Sequence, residues 1–233
     1  KKASSKWKVF RSMPFFISKE ELPFFRFTRI MMKNERDFKL KVYPSLGFAV
    51  VVPFVFMFNS YSMMSFEEFA ASRSYLTIYS VMLVIPMSVI MLAHSGSYKG
   101  SWIYQVAPVK SLGLINKAAL KAFLFQLFLP LFLLVSIMFS FLFGLRILDD
   151  LIAVFLAALI YTLLCYLAGE RELAFSLPFD AVKQSGDIKV FLLFLIIPLF
   201  VGLHFLALIL PFGVAGYAIL LFAVDWILWK RLR

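Results

Sequence analysis

Residues 98–121, YKGSWIYQVAPVKSLGLINKAALK, form the longest polar interruption in a chain built otherwise of apolar blocks. Gly100, Pro108 and Gly113 divide the stretch, and Lys99, Lys110, Lys117 and Lys121 make it basic with no acid to offset them. Between the breaks lies a compact apolar-aromatic element, Trp102-Ile103-Tyr104-Gln105-Val106, followed by Ala107-Pro108. A connection that only reverses the chain needs far fewer residues. The stretch therefore reads as a surface made to be contacted, and the blocks on either side decide what kind of chain carries it.

Those blocks are too apolar for a water-soluble core. The 233 residues are 62% hydrophobic and include 29 Phe, with a mean hydropathy of +0.89. A soluble domain runs at about 45–50% apolar. Six segments are long enough to cross a bilayer core, for which about 20 residues are needed. They cover about 44–64, 75–94, 123–145, 151–168, 190–211 and 213–229. The third is expected to begin earlier, near Leu114, as an amphipathic helix with Lys117 and Lys121 one turn apart. The predicted fold is an all-α polytopic membrane protein with six transmembrane helices and an amino-terminal amphipathic helix. Its parts are a basic arm at 1–43 and a six-helix domain at 44–233, with the loop at 95–122 inside the latter.

Charge sets the orientation. Residues 1–46 hold twelve of the 24 Lys and Arg against four acids. Adding the 95–122 loop, the 169–189 loop and the tail places 22 basic residues on one side, against Arg73 and Arg146 on the other. By the positive-inside rule both termini and both longer loops are cytoplasmic. From Pro23 the arm becomes two-faced. Arg26, Arg29, Lys33 and Arg36 recur at steps of three or four, with Phe24, Phe27, Met31 and Phe38 on roughly the opposite side. Such a helix lies in the membrane interface, its cations near anionic headgroups. Basic charge beside membrane spans argues against nucleic acid as a partner.

Candidates for chemistry are few. A single cysteine, Cys165, excludes a disulfide framework and any multi-cysteine metal site, and it reads as a small core hydrophobe. No nucleotide-binding, zinc-protease or nucleophile-elbow motif occurs. His204 and Gln126 lie alone in their spans and read as interhelical hydrogen-bonding groups. Asp225 is the one acid within the spans as drawn, close enough to Lys230 and Arg231 to pair with them near the interface. Pro53, Pro86, Pro130 and Pro198 put a kink well inside four spans.

The arrangement is similar to the permease subunits of bacterial type-2 ABC exporters. Arg36-Asp37-Phe38-Lys39-Leu40-Lys41-Val42-Tyr43-Pro44 resembles the charged lead into their first span. Lys99-Gly100-Ser101-Trp102-Ile103-Tyr104, then Ala107-Pro108 and a later Lys117 or Lys121, resembles their coupling loop, and Leu177-Pro178-Phe179 resembles a segment after the fourth span. The resemblance implies a connecting helix at 23–41 and a coupling helix at 100–110. Trp102, Ile103, Tyr104, Gln105 and Pro108 would dock in a groove of a separate ABC ATPase subunit, which would hold ATP and Mg while this chain binds no cofactor and catalyses nothing. It also implies a second six-helix unit, either an identical subunit or the other half of a longer chain, in the bacterial cytoplasmic membrane. The chain begins at Lys1 without a recognisable signal, so a missing amino terminus is expected. The family often carries an acid just before the coupling element, and His94-Ser95-Gly96-Ser97 supplies none. The rival expectation is an ion-coupled carrier using Asp225 and His204; a lipid-acting enzyme lacks an acid, base and nucleophile cluster.

Overall fold

The computed structural model describes residues 16–62, 65–106, 111–169, 172–179 and 187–232. Six helices are long and apolar enough to cross a membrane: Arg36–Asn59, Ser74–Met91, Leu112–Phe143, Leu145–Ala168, Val190–Ala207 and Gly213–Arg231. They are called the first to sixth spans below, and the fold fits a multi-pass membrane protein. The amino-terminal helix, Leu22–Asn34, and the two longer loops lie at one end of the bundle, here termed the basic face.

The second span is the axis of the bundle. It packs against the first, third, fourth and fifth spans, and 72% of it is buried, against 17% of the first and 11% of the sixth. The outer helices therefore present apolar faces, such as Phe48, Phe56 and Phe58 on the first span and Phe222 and Trp226 on the sixth. In lipid those faces need no cover, because acyl chains are as apolar as leucine. The third span divides its aromatic residues by helical period. Phe139 and Phe143, one turn apart, are buried, while Phe141 between them points outward at 85% exposure.

Of the five prolines in the spans, Pro86, Pro130 and Pro198 adjoin breaks in α-helical hydrogen bonding. A proline lacks the N–H that would bond four residues back, and its ring crowds that carbonyl. Pro86 follows a ten-residue 3-10 segment, Ser74–Leu83, within the second span. Pro130 follows a π segment, Leu124–Phe128, within the third. Pro198 follows the break at Leu195 in the fifth. Pro53, by contrast, sits within a continuous helix, Arg36–Tyr61. Long 3-10 runs are rare, which marks the second span as unusual.

Two expectations about the arm are corrected. The amphipathic helix ends at Asn34 rather than Lys41, because Glu35 is extended. Residues 36–43 are the start of the first-span helix, which runs through the expected boundary at 43 and includes Pro44. The buried face of the amino-terminal helix is Phe25, Thr28 and Met32, turned against the Leu112–Phe123 part of the third span. Phe24 and Met31 are only partly buried and Phe27 is exposed. Packing on the third span thus decides which side chains of this helix turn inward.

On the opposite face the two lone arginines are structural. Arg146 donates to the carbonyls of Ala70 and Ser72 and so closes the end of the short Phe66–Ala71 helix, while Arg73 lies 4.9 Å from the centre of the Phe205 ring. Ser65 and Glu68 form a reciprocal capping box at the start of that helix. The tight turn into the sixth span requires glycine, since a Cβ at Gly213 would collide with the Ala207 carbonyl. Gly144, at φ +75°, ends the third span in the same glycine-favouring way.

Candidate functional site

Two loops of the basic face are stitched into one platform. The second span ends at Met91, leaving its last carbonyls without helical partners. The segment after the fourth span supplies them. Phe175 N–H donates to Leu92 O at 2.8 Å, and Ser176 and Leu177 N–H donate to Ala93 O at 2.8 and 2.9 Å. Ser95 N–H returns a bond to Leu177 O at 2.9 Å, giving a short parallel bridge between His94 and Leu177. Lys41 of the first span donates to Phe179 O and lies 4.8 Å from that ring's centre. His94 stacks on the same ring and donates from Nδ1 to Ile90 O, since a carbonyl only accepts. Leu177-Pro178-Phe179 is thus the seam that locks the two loops.

The Trp102 element stands on this platform. Tyr98–Trp102 forms a 3-10 turn that continues into the helical turn Ile103–Val106. Tyr104 is its root. It is 6% exposed, its hydroxyl donates to Ala174 O at 3.2 Å, and its ring meets Phe27 edge-on. Burial pushes the Tyr104 phenol up to about 12, so it stays a donor at neutral pH. Asn116 of the third span holds the other side of Ala174, accepting from its N–H at 3.1 Å while donating to the Tyr166 hydroxyl. Between these clamps Phe175 is buried at φ +60°, a left-handed conformation that costs a bulky residue about 1–3 kcal/mol. Such strain persists where neighbours over-determine the backbone, and the two side-chain clamps on Ala174 together with the Leu92 bond do so.

The outward side is apolar. Trp102, Ile103 and Val106 are 61%, 52% and 67% exposed, and the stretch carries no acid. Gln105 lies in the helical turn with its side chain outside the described residues, and Pro108 lies outside them altogether. The predicted site thus divides. Trp102 and Ile103 face out, and Tyr104 faces in as an anchor. Glu35 accepts a hydrogen bond from Ser95 and, with Asp37, borders Gly96, so two acids lie beside a loop that carries none.

The basic stripe also divides. Arg26, Lys33 and Arg36 are exposed, but Arg29 turns inward. Its Nε donates to Gln126 Oε1 at 3.1 Å, and its guanidinium lies 5.7 and 5.5 Å from the Phe25 and Phe125 ring centres. Gln126 is therefore interhelical as expected, with the amphipathic helix as partner. It sits in the π segment, where the local register brings it round to that helix.

A second polar cluster is buried near the opposite end. His204 of the fifth span is fully buried between Tyr79 of the second, with the hydroxyl 3.0 Å from Nδ1, and Asp150 of the fourth, with Oδ1 2.9 Å from Nε2. A neutral imidazole satisfies all three groups: Nε2–H donates to the carboxylate and the tyrosine hydroxyl donates to Nδ1. Asp150 occupies the first turn of its helix, where the dipole favours an anion. Sequence reasoning set Asp150 in the turn, outside the spans, and so missed it. The signal was present as acids opening a helix, with a lone intramembrane histidine elsewhere. Asp225 does not pair with Lys230 or Arg231. It is 5% exposed, and neither carboxylate oxygen reaches good hydrogen-bond geometry among the described residues, its polar neighbour being the Trp229 indole one turn on.

Compared with known proteins, the chain matches no family model, no curated protein and no solved structure.

Proposed function

We propose that this chain is the membrane-spanning permease subunit of an ATP-driven exporter of the ABC type. Its place would be the bacterial cytoplasmic membrane, with the basic face and both termini in the cytoplasm. The observation that carries the reading is the exposed Trp102–Ile103–Val106 surface on a helical turn whose root, Tyr104, is anchored in the bundle. Mobile loops hide or scatter large apolar side chains; a rigid base that presents a tryptophan fits a partner's groove. That partner is a separate ATPase subunit holding ATP and Mg, since this chain has no nucleotide-binding motif. A second six-helix unit would cover part of the exposed outer spans.

The connections from that surface suggest how force would travel. Pressure on Trp102 reaches Tyr104, then Ala174 and Phe175, and through the seam the end of the second span. That span contacts four others and carries Tyr79 of the far cluster. Its 3-10 segment of ten residues is about 5 Å longer than the same residues in an α-helix. Interconversion of the two forms is a discrete switch of the kind alternating access needs, and ATP drives it only by binding one state better.

Trp102→Ala tests the docking surface. A tryptophan offers up to about 250 Å², so with 61% exposed about 150 Å² is available to a partner. At about 25 cal/mol per Å² the ceiling is about 4 kcal/mol, and a typical hot-spot loss of about 2 kcal/mol weakens association about 30-fold. Expected is an assembled chain whose ATPase no longer couples to transport. Full coupling in this variant would remove the docking assignment.

A second reading, an ion-coupled carrier, draws on buried ionisable groups: the Asp150–His204 pair and Asp225. Proton-driven flux without any ATPase, abolished in Asp225→Asn or His204→Gln, would establish it in place of the first.

A further inference from the structure

The third, fourth and sixth spans enclose a lateral cavity of about 700 Å³ that opens on the basic-face half of the bundle. Its rim carries Lys117, Lys121 and Lys230, and below them the wall is apolar and aromatic, including Leu129, Phe155 and Trp229. No acid lines it. Glu21 pairs with Lys121 at 2.7 Å, Lys117 donates to the Trp229 carbonyl, and Lys230 is exposed at the mouth.

We propose that this cavity is a binding site for an anionic phospholipid, with the phosphate at the lysine rim and an acyl chain along the apolar wall. Three observations select that occupant. Charge and apolarity are segregated end to end, as in the ligand. From Lys117 to Leu129 the helical rise is about 18 Å, close to half of a hydrocarbon core about 30 Å thick, so the depth is that of one leaflet. Its walls are spanning helices with exposed apolar faces, Trp226 among them, which suits an acyl chain better than a soluble anion. Interfacial lysines attract anionic headgroups by electrostatics and keep their stems along the apolar wall. The assignment is independent of what the protein transports.

Trp229 is the reporter. The full chain carrying Trp7→Phe, Trp102→Phe and Trp226→Phe is reconstituted in vesicles mixing phosphatidylcholine and phosphatidylglycerol, with bromine on the acyl chains of one lipid or the other. Expected is quenching by brominated phosphatidylglycerol at about a tenfold lower mole fraction than by brominated phosphatidylcholine. The preference should fall at least about threefold in Lys117→Gln/Lys230→Gln, which leaves the Lys121–Glu21 pair in place. Equal quenching by the two lipids overturns the proposal, and that comparison needs no lysine variant to fold. A preference that survives the lysine substitutions also overturns it. Release of the quencher by millimolar glycerol phosphate would make this a free-anion site. Absence of quenching by either lipid in a dimeric particle would show that a second copy fills the cavity.

Discussion

Removing either member of the buried Asp150–His204 pair will cost far more than an ordinary interhelical hydrogen bond. His204 is wholly buried and Asp150 is 7% exposed, with 2.9 Å between Nε2 and Oδ1. Two interhelical hydrogen bonds at the membrane average of about 0.6 kcal/mol each would sum to only about 1.2 kcal/mol. Removing His204 leaves the Asp150 carboxylate buried without its Nε2–H donor, at about 3–5 kcal/mol, and removing Asp150 leaves the imidazole N–H and the Tyr75 hydroxyl without their acceptor, at about 1–3 kcal/mol. Asp150→Ala and His204→Leu should therefore each destabilise by about 3 kcal/mol. The double variant removes both groups and leaves the Tyr79 and Tyr75 hydroxyls without these acceptors, at about 2 kcal/mol in all. The coupling energy from the cycle should then be at least about 2 kcal/mol. The assay is reversible unfolding in mixed micelles titrated with a denaturing detergent, followed by circular dichroism. Single costs near 1 kcal/mol that simply add would show that the contact is an ordinary interhelical hydrogen bond and no lock between spans.

Asp225→Leu should stabilise the isolated chain in the same assay by about 1–3 kcal/mol, since it removes a buried carboxylate without a well-formed hydrogen bond; a loss of stability would reveal a partner for Asp225. Tyr104→Phe deletes only the bond to Ala174 O and should cost about 1 kcal/mol, read as faster amide exchange at Phe175 and Leu177, with Tyr104→Ala faster still because it also removes the ring from Phe27. Glu68 is held below its ordinary value by the Ser65 backbone N–H and hydroxyl. A depressed carboxylate stabilises above its unfolded value and loses that effect as pH falls through its folded value. The Phe66–Ala71 amides should accordingly exchange faster below about pH 4 relative to neighbours, and Glu68→Gln should remove that dependence; protection independent of pH would discount the cap.

Long-period features were legible in the sequence, and cross-chain ones were not. All six spans follow from runs of apolar residues, because length and hydropathy alone decide them. The exposed Trp102 and Ile103 were visible as an apolar island between glycine and proline. What failed needed knowledge of a neighbour. Phe25 rather than Phe24 faces inward because the amino-terminal helix rolls onto the third span, and Arg29 leaves the basic stripe because the π segment brings Gln126 to it. The boundary at 43 followed the start of the apolar run at Pro44, yet the first-span helix already begins at Arg36 and continues through Lys39, Lys41 and Pro44. Asp150 was set in a turn because charged residues cluster there; its partner lies 54 positions away, a distance no local pattern reaches.

The central claim is that the Trp102 surface receives an ATPase. The most direct measurement is purification of the tagged chain in mild detergent from the native host, scored for a stoichiometric nucleotide-binding subunit, alongside Trp102→Ala and Ile103→Ala. The account predicts an ATPase that accompanies the unaltered chain and is lost from the variants while the six-span bundle stays folded. A clean preparation with no ATPase, reproduced in lipid discs, would contradict it and turn attention to Asp150, His204 and Asp225.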